Sequence, residues 1–148
     1  MGEATYYMKG FNCTEENFEK IKAFILEGTK AEDWWQEYRD CEGRGKRDEF
    51  WKHFDKKFPT IVKYLKSINL HGKDCNNDLA GYLDFGMFDS EEDIYDSVSL
   101  DGDEFRYHAY VWHFADWNGL AKFIQSEYGL RSIRWISDEY SDPFDSLG

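Results

Sequence analysis

His71-Gly-Lys-Asp-Cys75 is the stretch of this 148-residue chain whose residue types come closest to a chemical site. An imidazole and a thiol with three residues between them are zinc ligands by type. Two further ligands, drawn from Cys13, Cys41, His53 or His113, would complete a tetrahedral set, and binding would favour thiolate over thiol. A loop histidine beside an ordinary cysteine is the simpler account of the same residues. Asp101-Gly-Asp-Glu104 is too short for a calcium loop of the EF-hand kind, which needs twelve residues and a closing Glu. Nucleophilic catalysis through Cys41 and a histidine finds no motif that would bring the two together. The chain carries no Gly-rich phosphate loop, G-x-S-x-G, H-E-x-x-H or C-x-x-C. With 30 carboxylates, a catalytic acid pair could be drawn almost anywhere and so signals nothing. The expectation is a protein that is not an enzyme and has no cofactor, with zinc at His71 and Cys75 as the metal alternative.

Carboxylates are the more informative residues. DSEEDIYDSVSLDGDE, residues 89–104, holds eight of them and no Lys or Arg. Residues 1–73 contain 14 basic and 13 acidic side chains, whereas residues 74–148 contain 4 and 17, so the net charge of −12 lies almost wholly in the second half. Charge serving solubility alone would be scattered, although acidic loops are commonly just solvated. Such a balance opposes direct nucleic-acid binding and anionic membrane surfaces, and it favours cationic partners.

The rest of the composition describes a folded chain. Aromatics make up 19% of it, which disordered chains do not approach, and 148 residues suit one domain with a real core. No apolar run reaches the roughly 18 residues of a membrane span. MGEATYYMKG lacks the basic and apolar regions of a signal peptide. Three widely spaced cysteines read as free thiols in a reducing cytosol. The expected location is therefore cytoplasmic.

Periodicity supplies the elements that must position these residues. TYYMKGF, 5–11, alternates like a strand, with Tyr6, Met8 and Gly10 opposite Tyr7, Lys9 and Phe11. Thr14 then caps a helix that Gly28 is expected to stop. AEDWWQEYRDC and KRDEFWKHFDKKFPTIVKYLKSIN read as helices, the second broken by Pro59 near Phe58. Adjacent Trp34 and Trp35 diverge by about 100° on a helix, so one of them is a candidate exposed anchor. AGYLDFGMF and IYDSVSL read as strands, with a loop over 89–96. Asp-Gly at 101–102 marks a hairpin into a long strand, FRYHAYVWHF. DWNGLAKFIQSEYG is a helix ending at Gly129, SIRWISDEY a last strand, and SDPFDSLG a tail. This order predicts an α+β fold: a ferredoxin-like split βαβ antiparallel sheet, one domain over 1–148, with a helical insertion near 31–69 between the first helix and the second strand.

Carboxylates interleaved with Phe85, Phe88, Tyr95, Phe105 and Tyr107 suit a basic groove. A DNA strand advances roughly 3.4 Å per phosphate and a β-strand about 3.3 Å per residue, so acids along strands and turns approximate a phosphate track. With DSEEDIYDS, SLDGDEF and SDEYSDPFDS, the chain resembles the small acidic inhibitors of host defence nucleases encoded by phages and mobile elements, the anti-CRISPR and anti-restriction proteins. That resemblance covers about half of the chain and implies an inhibitor acting in the host cytosol on a nuclease such as a CRISPR effector. These inhibitors share no common fold, and the basic 44–66 segment departs from a uniformly acidic mimic. The expected contact residues are Asp89, Glu91, Glu92, Asp93, Asp96, Asp101, Asp103 and Glu104, with Tyr95 as anchor. Two alternatives stand beside this expectation: an immunity-type protein that neutralises a cationic toxin, and a zinc-stabilised protein-binding domain.

Overall fold

Alternation in the first strand is borne out: β1 (Glu3–Phe11) buries Tyr6, Met8 and Gly10 on one face and presents Tyr7 and Phe11 on the other. The computed structural model describes residues 3–41, 47–73, 79, 81–112 and 115–137. After β1 come four helices, α1 (Glu15–Cys41), α2 (Arg47–Lys57), α3 (Pro59–Ser67) and α4 (Glu91–Asp96). They are followed by β2 (Val98–Asp101), β3 (Glu104–Trp112), α5 (Asn118–Tyr128) and β4 (Arg131–Ser137). The strands form one four-stranded sheet in the order β2-β3-β1-β4, every neighbour antiparallel, and the class is α+β. Asp101 pairs with Glu104 across the Asp-Gly turn, where Gly102 takes φ +64°. Side chains of β3 alternate as a half-buried strand should: Phe105, Tyr107, Ala109 and Val111 are buried, and His108, Tyr110 and Trp112 are exposed.

Gly28 does not end the first helix. Thr14 caps it as expected, accepting the Asn17 N–H at 3.1 Å, but α1 continues for 27 residues because its apolar stripe stays in phase. Ile21, Phe24, Ile25, Gly28, Ala31 and Trp35 are all buried. Glycine is there for space: a Cβ at residue 28 would stand 1.9 Å from Phe85 Cε2. Pro59 is the break the sequence promises, at the first position of α3, where its missing N–H costs nothing. Trp35 is 1% exposed, whereas Trp34 packs on Phe50 at 5.2 Å and stays half-buried at the surface.

One predicted strand is not a strand, and another is one only in its second half, which forms β2. In AGYLDFGMF residues 83–86 are buried outside any strand, and side chains satisfy the carbonyls of Tyr82, Asp84 and Phe85. Tyr64 Oη donates to the Tyr82 carbonyl (3.0 Å), Trp117 Nε1 to that of Asp84 (3.1 Å) and Tyr107 Oη to that of Phe85. Gly86 sits at φ +147°, a conformation open to glycine, and its Cβ would meet the Phe88 ring at 2.5 Å. The first part of IYDSVSL, with the expected 89–96 loop, is α4. Ser90 caps it, its hydroxyl accepting the Asp93 N–H at 3.3 Å, and Glu91, Glu92 and Asp93 in the first turn favour the helix dipole.

The core is mostly aromatic. Phe85 lies 5.3 Å from Phe24 and 5.8 Å from Tyr64, ring centre to ring centre, and Tyr107 stacks on Trp117 at 4.6 Å. No helix among the described residues is long and apolar enough to cross a membrane.

Candidate interaction surface

Three contacts fix where the acidic segment lies. At one end, Asp103 Oδ2 accepts the Asn12 N–H and the Asp103 carbonyl accepts the Cys13 N–H, both at 3.0 Å. In the middle, Lys22 Nζ sits 5.4 Å from the centre of the Tyr95 ring. At the other end, Lys30 Nζ pairs with Glu91 at 3.6 Å. Residues 91 to 103 therefore run alongside α1 in the opposite direction, from Lys30 back to Asn12. At 1.5 Å per helical residue, this edge is about 25 Å long.

Asp89, Glu91, Glu92, Asp93, Asp96, Asp101 and Asp103 are all exposed along it. They are not equivalent. Asp93 Oδ2 accepts the Asp89 N–H at 3.1 Å, and Asp103 is tied to Asn12, so both also hold the backbone in place. Glu104 leaves the row. Its side chain is 20% exposed and pairs with Lys9 at 3.7 Å and with Arg106 on the outer face of the sheet. Tyr95 is 43% exposed, with one face taken by Lys22. Glu19 on α1 adjoins the acidic edge through Lys22, which also meets Tyr95. Glu16 and Glu19 pair with Lys20 and Lys22 of their own helix.

Beside this edge is a pocket of about 260 Å³ between α4 and the outer face of β3. Phe88, His108 and Tyr110 form its aromatic walls, and Asp93 and Asp96 its acidic rim. Both walls are hydrogen-bonded to β3: the His108 N–H donates to the Ser97 carbonyl (2.9 Å), and the Met87 N–H to the Tyr110 carbonyl (2.8 Å). Sequence periodicity marks His108 and Tyr110 as sharing a face of one strand. It gives no sign that Phe88 and α4 close over them.

His71 and Cys75 are not seen together. His71 Nε2 lies 2.7 Å from Asp55 Oδ1, and its ring packs on Trp51 at 4.7 Å; Cys75 lies outside the described residues. Cys13 is buried, its Sγ 3.5 Å from the Thr14 carbonyl, and burial raises its thiol pKa, with Asp103 adding to the effect. Among the described residues, no group of three or more His, Cys, Asp or Glu side chains could hold a metal ion.

Two carboxylates that the sequence did not single out are perturbed. Asp84 is 4% exposed, and desolvation raises its pKa to about 6 against the opposing hydrogen bonds from the Trp112 and Gly86 N–H groups. Glu32 is raised to about 7, mainly by burial and then by the charge of Asp84. Perturbed acids are a signal of function only when they face a site. The contacts of Asp84 are backbone amides of the β3 end and of the 84–86 segment, so its work is structural.

No protein-family model, curated protein or solved structure matches the chain.

Proposed function

We propose that the chain is a non-catalytic inhibitor that lays its acidic flank on the basic nucleic-acid-binding surface of a host defence nuclease, of the anti-CRISPR or anti-restriction kind, in the cytosol. The observation that carries this reading is the placement of exposed carboxylates from Glu91 to Asp103 along one side of α1. An edge of about 25 Å spans roughly seven phosphates of one DNA strand. The charge would speed encounter with a Lys/Arg-lined channel, and such steering weakens as salt screens it.

The scaffold we propose is a ferredoxin-like split βαβ sheet, with α2 and α3 as the helical insertion between the first helix and the second strand. Its support is the antiparallel order β2-β3-β1-β4 with helices following β1 and β3.

The test is affinity capture from nuclease-treated host lysate at low and high salt, with duplex DNA as competitor. The expected result is a nucleic-acid-handling enzyme retained at low salt, released at high salt and displaced by DNA. Capture that DNA does not displace would contradict phosphate mimicry, and a captured cationic toxin would favour the immunity-type alternative.

A further inference from the structure

We propose that the pocket between α4 and β3 receives the guanidinium of a single arginine side chain from the partner. This rests on the reading of the acidic flank as the docking surface and names the chemistry of its central contact.

At about 260 Å³ the pocket falls below the roughly 300 Å³ at which small-molecule and cofactor sites begin. It suits the end of one side chain. Its lining specifies the charge, because Asp93 and Asp96 supply carboxylates and no Lys or Arg lines it. Asp93 and Asp96 are three residues apart on α4, so they share a helix face about 5–6 Å apart, a spacing that the planar fork of guanidinium donors can bridge. Tyr110, two residues from His108 on the outer face of β3, offers an exposed ring plane on which that fork can stack, while the His108 ring is already stacked on Tyr7. An ammonium would use the carboxylates as a point charge but would gain less from the ring.

The pocket is also pre-shaped. The Phe88 ring fills the space a Cβ on Gly86 would take. The hydrogen bonds His108 N–H to Ser97 and Met87 N–H to Tyr110 hold both walls to the sheet. Asp93 is oriented by the Asp89 N–H. Little ordering is left for the arginine to impose, which is the usual source of a strong anchor at an interface. Tyr110, 51% exposed, is the wall most open to an incoming group.

The experiment titrates the full chain, followed by ¹H–¹⁵N NMR, with blocked Gly-Arg-Gly and with its citrulline and lysine counterparts. Saturable shifts centred on Ser97, His108 and Tyr110 are expected with arginine, at least about tenfold weaker binding with neutral citrulline, and weaker binding with lysine. Tyr110→Ala should weaken arginine binding about tenfold while leaving the unfolding midpoint unchanged. Equal binding of citrulline, or of lysine, would overturn the guanidinium assignment. So would shifts spread evenly over the acidic edge, or binding unaltered by both Tyr110→Ala and Asp96→Asn. The flank reading fails by a separate readout: partner association that does not slow when Asp89, Glu92 and Asp101 are reversed to Lys, substitutions that leave the pocket lining intact.

Discussion

Asp84 and the carboxylates of α4 are close in sequence and opposite in their relation to water. Asp84 is enclosed by core aromatics and accepts backbone N–H groups from Trp112 and Gly86. Asp89, Glu92 and Asp96 stand in solvent on the flank. Desolvation makes the charged form of Asp84 costly, so its role is to hold the end of β3 against the unladdered 83–86 segment. The flank acids keep their hydration and contribute a field. One residue type thus anchors backbone in one region and stays hydrated in the other, and burial decides which.

Interior substitutions should break the fold side of this contrast most strongly. Gly28→Ala drives a methyl into the Phe85 ring, next to Asp84, and should cost about 3 kcal/mol by chemical denaturation. Asp84→Ala strands the Trp112 and Gly86 N–H groups and should cost about 2–3 kcal/mol. Stability should also depend on pH through the interior pair. The folded-state pKa of Asp84 rises from 3.8 to about 6 and that of Glu32 from 4.5 to about 7, so between those values the folded chain binds more protons than the unfolded one. Stability then falls as pH rises through that window and levels off above it. The loss from pH 5 to pH 7 should be about 3 kcal/mol, and Glu32→Gln should remove more than half of it. Reversing Asp89, Glu92 and Asp101 to Lys should change stability by less than about 0.5 kcal/mol, since these exposed acids lack the interior's constraints.

Much of the interior was legible from pattern. The alternation in β1 and β3, the Asp-Gly hairpin, Pro59 and the Gly129 stop, where φ is +70°, all act locally, and each took the form its residues imply. Residues 82–86 did not, because the donors to the Tyr82, Asp84 and Phe85 carbonyls come from Tyr64, Trp117 and Tyr107, which no local window can see. Gly28 misled for the same reason: its meaning lies in a ring 57 positions away. On the flank, the acids were legible one by one, but their alignment depends on Lys22, Lys30 and Asn12 of another element. The departure of Glu104 from the row depends on Lys9. The arginine-sized pocket was the least legible feature, since it exists only where Phe88, α4 and β3 meet.

The most direct test of the flank is the association rate with the captured partner as ionic strength varies. The chain with Asp89, Glu92 and Asp101 reversed to Lys should be compared with one in which Asp48, Glu49 and Asp55 of α2 are reversed instead. Those three are exposed on the helical side, so the change in net charge is identical. The flank variant should associate at least about tenfold more slowly at low salt, with its dissociation rate little altered and the difference shrinking as salt rises. Equal slowing by both variants, or no slowing by the flank variant, would contradict the claim that this edge is the docking surface.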